Sequence, residues 1–350
     1  MSVVKTIRRV PVLATPVLAT PVLATTVSAM AALALSGLVA VAPAQAAPAT
    51  LSFGNTYDLG HLGSSFTYQF AEDPAGDAYY FLGSAVYEVK SESAPRAILH
   101  VRGTVLAVAA SASDVFVDVS RTVTEYRISD HRSVRSWILP RSPSAPTSAG
   151  LYVVGSTVWA WTDWATDQSG FQYASVSRFT TGSSAVHKVS SNNVYPGDMA
   201  ADASGLYFQR VTKNGTNGYL AHATPGGSIH LRSDANIDAP LALHNGDVYL
   251  LAIHESQGGK TYLDSFAEAN LAPVNSAVEW SKFTDIAGNG EGLFILGGGK
   301  MALVLTSFDY GQLGSRADVR HAVVLLPGPA AGVVTVVHGT TYLTWAGLTG

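Results

Sequence analysis

The sequence contains no cysteine. Disulfides, thiolate metal centres, cysteine nucleophiles and lipidation at a mature N-terminal cysteine are all excluded, so stability must come from packing. Charge is also scarce, with 13% Asp, Glu, Lys and Arg against 47% hydrophobic residues. That balance is globular and far from disorder. No basic run occurs, which argues against nucleic acid or an anionic membrane surface as partner. Beyond residue 46 there is no long amphipathic helical period and no apolar stretch of spanning length.

The first 46 residues read as a targeting segment. Lys5, Arg8 and Arg9 give a positive start, an apolar stretch runs to Ala42, and Ala44-Gln45-Ala46 is an A-x-A cleavage site. The alternative is a membrane anchor, which the three prolines of the tandem Pro-Val-Leu-Ala-Thr copies at 11–25 disfavour. Arg8-Arg9 leaves the route open between general secretory and twin-arginine export. Cleavage removes three basic residues and no acid, leaving 18 basic against 25 acidic residues and a net charge of −7. The expectation is a secreted, extracellular, monomeric domain over residues 47–350, with no membrane span after cleavage.

What is abundant is the material of short strands and tight turns. Gly accounts for 33 residues, and β-formers alternate with clusters of Gly, Pro, Asn, Asp and Ser. Leu106–Pro140 reads as four consecutive strands: Leu106–Ala110, Val115–Val119, Val123–Ile128 and Val134–Leu139. A turn followed by an aromatic-bearing strand recurs at Gly76–Phe81, Ser113–Val117, Gly155–Trp159, Ser204–Phe208, Gly246–Leu250, Glu291–Ile295 and His338–Leu343. The copies lie roughly 37 to 49 residues apart, the length of a four-stranded propeller blade. The fold expected is all-β, a seven-bladed β-propeller of four-stranded antiparallel blades. Two N-terminal strands, Leu51–Phe53 and Thr56–Leu59, would join two C-terminal ones to close the last blade. The first strand of the sixth blade is either Lys282–Ile286 or Leu293–Leu296.

Asp73-Pro74 followed by Gly76-Asp77-Ala78-Tyr79-Tyr80, and Asp202-Ala203-Ser204-Gly205-Leu206-Tyr207, resemble the repeats of secreted bacterial propellers of the YVTN, NHL and TolB kind. The resemblance implies the fold and a D-x-x-G-type turn. Those families share no single activity, so it implies no catalytic residue.

Chemistry-bearing motifs are weak. Gln257–Thr261 ends like a phosphate-binding loop, but His254 stands where that motif needs Gly, and the segment lies between strands. His222 and His230 flank Thr224–Gly227 and can face each other across a hairpin. His254-Glu255 sets an imidazole beside a carboxylate at a hairpin, a candidate acid–base pair if it is not simply a solvated loop. Trp159–Gln168 holds three of the six tryptophans. Trp161, Asp163, Trp164 and Asp167 are candidate ligand residues, because aromatic faces stack on sugars and Asp accepts from hydroxyls; inter-blade packing competes with that reading. In a propeller these loops and the blade linkers share one face, where clustered Asp could hold Ca²⁺ or merely form turns. No metal centre and no resident cofactor are expected. Three functions remain open. One is a non-catalytic binding protein for an extracellular ligand or partner, carbohydrate or cell-envelope material among them. The second is a propeller lyase or glycoside hydrolase with its site on the blade-linker face. The third is a protein-interaction scaffold.

Overall fold

The structure, a computed structural model, describes residues 50–62, 70–90, 93–140, 149–166, 172–194, 199–211, 218–232, 240–254, 260–278, 283–288, 293–297, 300–304, 310–314, 322–325 and 331–349. The targeting segment expected at 1–46 lies outside them.

The described chain is a propeller of four-stranded antiparallel blades. The first set is β2 (Phe70–Glu72), β3 (Ala78–Leu82), β4 (Ala85–Val89) and β5 (Arg96–His100). The second is β6 (Val105–Ala110), β7 (Asp114–Val119), β8 (Thr122–Arg127) and β9 (Ser133–Ile138). The third is β10 (Ala149–Val154), β11 (Thr157–Thr166), β12 (Gln172–Thr180) and β13 (Val186–Val194). The fourth is β14 (Ala200–Asp202), β15 (Gly205–Val211), β16 (Gly218–Ala223) and β17 (Ile229–Arg232). Then come β18 (Leu241–His244), β19 (Asp247–His254), β20 (Lys260–Ala267) and β21 (Pro273–Val278). They are followed by β22 (Phe283–Gly288), β23 (Leu293–Gly297), β24 (Lys300–Val304) and β25 (Tyr310–Gly314). The last sheet joins β26 (Ala322–Leu325), β27 (Ala331–Val337) and β28 (Thr340–Thr349) to β1 (Thr50–Gly60).

Two expectations need correction. Seven separate sheets were expected, whereas hydrogen bonding groups the described strands into six. The third and fourth sets form one eight-stranded sheet, because β13 pairs with β15 at Val194 and Arg210. The N-terminal region is one strand rather than two. β1 pairs with β28 along its length, with a register shift between Phe53 and Thr56. The last sheet is therefore three C-terminal strands plus one, not two plus two. The physical cause is that the His338–Leu343 turn joins second and third strands, while the other six copies join first and second. The ambiguity in the sixth set resolves to Phe283–Gly288 as its first strand.

The second strand of each set is buried from both sides, which is why these strands read as unbroken apolar runs. On β7, Val115 and Val117 pack with Tyr79, Val86 and Leu99 of the preceding sheet. Phe116, pointing the other way, packs with Trp137, Leu151, Val158 and Phe179 toward the following one. Trp137 and Phe179 stack across that interface with centroids 4.6 Å apart. Each interface is thus a small closed core, and the first strands of successive sheets stand side by side around the axis.

Candidate functional site

The first strands surround a central cavity of about 370 Å³. Its wall comes from six of them and the residue before one: Phe70–Glu72, Ala109–Ala110, Leu151–Val154, Met199–Asp202, Leu241–Leu243 and Ile286–Ala287. A rule in the sequence creates the space. Five of the first strands place an alanine opposite the large aromatic of their second strand. The pairs are Ala71 with Tyr79, Ala109 with Phe116, Ala200 with Tyr207, Ala242 with Tyr249 and Ala287 with Phe294. All five alanines line the cavity. The exception is Tyr152, opposite Trp159, which puts an aromatic into the wall. The wall is apolar except for Glu72, Asp202 and the Tyr152 hydroxyl, and among its described residues there is no Lys, Arg or His.

Asp202 connects the cavity to a polar cluster. Its Oδ1 accepts from the Ser204 amide (2.9 Å), the Gly205 amide (3.2 Å) and the Ser204 hydroxyl (2.6 Å), an Asx turn that shapes the β14–β15 hairpin. Gly205 sits at φ 149°, and a Cβ there would collide with the Ala223 carbonyl, so only Gly fits. The Ser204 hydroxyl lies 2.9 Å from the Tyr207 hydroxyl and 3.4 Å from His222 Nε2. His222 Nε2 donates to the Ser204 carbonyl at 3.1 Å. The imidazole stacks on Tyr207, centroids 4.2 Å apart and planes 8° from parallel, with His230 at 6.1 Å beyond it. Tyr207 also donates to the Glu268 carbonyl at 3.2 Å, which ties the cluster to the β20–β21 turn of the next sheet.

The electrostatics follow from this crowding. Burial, and then the neighbouring Asp202 carboxylate and Asp247, push the Glu268 carboxyl up to about 7. Burial and the nearby acids raise Tyr207 to about 12, against its bond with Ser204. Burial holds His222 below the ordinary imidazole value, with His230 adding to it, so its neutral form is favoured near pH 7. Among the described residues no group of three or more metal-ligating side chains is assembled.

Of the residues singled out in the sequence as ligand or catalytic candidates, none of the described ones lines this cavity. Trp161, Asp163 and Trp164 lie on β11, and Trp161 is 1% exposed. It packs with Trp159, Met199, Leu206 and Phe208 between two strand sets, across the backbone of Gly150, where a Cβ would strike the indole. Its ring offers no free face for stacking on a sugar. The side chains of Asp163 and Trp164 and all of Asp167 lie outside the described residues. His254 ends β19, paired with Lys260; its side chain and all of Glu255 lie outside them too. The linker segments 195–198 and 234–238 also lie outside. His222 and His230 do pair across their hairpin. The sequence reading missed Asp202, Ser204, Tyr207 and Glu268 as a group. The signal available was the recurrence of Ala seven or eight residues before an aromatic, which marks the cavity wall.

No family model matches the chain, and no curated protein matches it in sequence. Solved structures match it in shape. A streptogramin B lyase structure aligns with a TM-score of 0.59 at 11% identity, over 86% of this chain and 98% of that one. A chain of a mitotic checkpoint complex aligns at 0.60 and 13% identity, over 84% and 94%. The complex of BBS1N with ARL6DN gives 0.54 and 10%, over 85% and 97%. At such identities the likeness carries the propeller fold alone, and the neighbours serve different functions.

Proposed function

We propose that the protein is a secreted, non-catalytic propeller that binds a small extracellular ligand in its central cavity. The observation that carries this reading is the cavity itself. Its volume of about 370 Å³ falls in the range of small-molecule sites, and its wall is apolar with few polar groups. Secretion rests on the Lys5–Ala46 segment, and β1 acts as the strand that closes the ring. The carbohydrate version rests on Asp163, Trp164 and Asp167, and loses the contribution of Trp161. A bound Ca²⁺ would have to use those loop acids. The test is ligand-observed NMR against a library of small apolar and amphipathic compounds. Ala201→Leu, which narrows the cavity, should abolish the hits; hits that persist unchanged would refute a central site.

A second reading is enzymatic. The Ser204–Tyr207–His222 group has a hydroxyl, a phenol and a neutral imidazole within hydrogen-bond reach of one another, the materials of acid–base chemistry. One structural neighbour is a lyase, but at 11% identity that adds nothing to the residues. The candidate pair His254 and Glu255 would put catalysis at the β19–β20 hairpin instead. The third reading, a scaffold that binds a protein partner, as the neighbour in the mitotic checkpoint complex does, is testable by pull-down.

A further inference from the structure

We infer that a half-open cavity on the second sheet is a binding site for an alkyl cation with N–H donors, an alkylammonium or alkylguanidinium group, held on the carboxylate of Glu125. The site shares no wall residue with the central cavity, and the inference does not depend on the reading proposed for that cavity.

The cavity holds about 540 Å³ between the β6–β7 turn, the end of β8 and the start of β9. Its wall includes Ser113, Asp114, Glu125, Arg127, Ile128 and Val134. Val134 comes into the wall at a β-bulge, which leaves it unpaired between Arg135, opposite Glu125, and Ser133, opposite Tyr126. Glu125 is only 6% exposed, yet among the described residues its Oε2 has no hydrogen-bond partner. A carboxylate buried in this way is costly until a cation or donor completes it. Burial, and then the Asp114 carboxylate, raise its carboxyl above the ordinary value, against the charge of Arg135.

The first sheet shows what completes the same constellation. There Tyr79 lies opposite Glu88 and Glu88 opposite Arg96; in the second sheet Phe116 lies opposite Glu125 and Glu125 opposite Arg135. Two residues before each aromatic stands an acid, Asp77 or Asp114, and two after each Glu a base, Lys90 or Arg127. In the first sheet these groups close on the acid. Arg96 reaches Glu88 at 3.0 Å, Lys90 lies 3.6 Å from Glu88 and 2.6 Å from Asp77, and the Tyr79 hydroxyl donates to Glu88 at 3.4 Å. In the second sheet every one of these partners is diverted. Arg127 pairs with Asp130 at 3.1 Å, and Arg132 stands 4.0 Å from the same acid. Arg135 donates to the Thr181 carbonyl of the next strand set at 2.8 Å. Phe116 has no hydroxyl, and Asp114 accepts from the Ser113 hydroxyl. The place that Lys90 and Arg96 fill from the chain itself is here a cavity over Glu125, with Ile128 and Val134 as an apolar wall for an alkyl stem. A ligand's cation supplies the charge-assisted bonds that the first sheet makes internally. Among the described residues no set of three side chains for a metal ion is assembled, so an N–H cation fits the site better than a metal.

The experiment is isothermal titration calorimetry of the full chain with butylguanidinium, butylammonium and the neutral isostere butylurea. The two cations should bind, and butylurea at least ten-fold more weakly. Glu125→Gln keeps the shape of the side chain and should cost the cations at least ten-fold. Val134→Lys, which brings an ammonium to the cavity wall, should abolish their binding. Ala201→Leu, which narrows the central cavity, should leave their affinity unchanged. Equal affinity for butylurea and the cations overturns the inference, as does failure of both cations to bind. Cation binding that survives Glu125→Gln but is lost in Ala201→Leu also overturns it, while leaving the central-cavity reading intact.

Discussion

Tyr79 and Tyr207 hold the same place in two sheets, yet the groups around them balance charge differently. Each lies on a second strand, opposite an alanine of the first and a polar residue of the third, and each packs toward the next sheet. Around Tyr79 the acids are matched. Its hydroxyl donates to Asp73 at 3.2 Å and Glu88 at 3.4 Å; Arg96 reaches Glu88 at 3.0 Å, and Lys90 reaches Asp77 at 2.6 Å. Around Tyr207 the third-strand residue is His222 instead of Glu88, its neighbour is His230 instead of Arg96, and the side chains of Asp202 and Glu268 are hydrogen-bonded to each other. One hairpin is a neutralised structural clamp. The other brings two carboxyls together at the edge of the cavity, and burial and Asp202 push that of Glu268 up to about 7. A shared frame with one unbalanced copy is what a site grafted onto a repeat looks like.

The largest test of the shared frame is truncation. Tyr79→Ala and Tyr207→Ala each remove a fully buried ring from an inter-sheet core, and each should cost about 3–5 kcal/mol. Urea unfolding of the two variants should give similar losses. A loss at Tyr207 well below that at Tyr79 would break the equivalence and make the Tyr207 ring functional first.

A second test uses Asp118, a third arrangement. It is fully buried on β7, and among the described residues neither oxygen has a hydrogen-bond partner. Burial pushes its carboxyl up to about 6; the backbone and charge of Arg121 pull the other way without meeting it at bonding distance. A raised acid favours the protonated folded state, so its penalty is absent below about pH 4 and fully present above about pH 6. Asp118→Asn should therefore stabilise the protein at pH 7 by up to about 3 kcal/mol and leave it unchanged near pH 4. Thermal unfolding at the two pH values reads this out; equal effects at both would show that the carboxyl stays ionised.

These contrasts also show what the sequence discloses. The strands of Leu106–Pro140 were legible because two-sided burial writes continuous apolar runs, and β6–β9 fall where they read. The joining of the third and fourth sets was not, since it depends on one backbone pair, Val194 with Arg210, with no side-chain signature. Nor was the phase of the last copy: Gly339-Thr340-Thr341-Tyr342 has the turn chemistry of the others but joins different strands. At the site, tryptophan enrichment pointed to Trp161, yet Gly150 folds that ring inward. The alanines of the cavity drew no attention because a small residue announces nothing alone. They gain meaning only from the aromatics opposite them.

A smaller effect separates the two tyrosine hydroxyls. Tyr79→Phe removes a donor to two buried carboxylates and should cost about 1–2 kcal/mol. Tyr207→Phe removes a donor to the Glu268 carbonyl in a more open cluster, where water can substitute, and should cost less than about 1 kcal/mol. Equilibrium unfolding at pH 7 distinguishes them. The reverse order would mean that the Tyr207 group is the tighter clamp.

The smallest expected effect is the most specific to the unbalanced copy. Glu268 is raised from 4.5 to about 7, so its cost to the folded state grows as pH rises between those values and is complete above pH 7. Glu268→Gln removes that cost. The variant should match the parent near pH 4.5 and exceed it at pH 8, by less than about 1 kcal/mol, because the group is partly exposed and solvent screens it. Parallel stability profiles from pH 5 to 8 would mean that Glu268 does not feel Asp202, and the comparison with the Tyr79 hairpin would reduce to geometry.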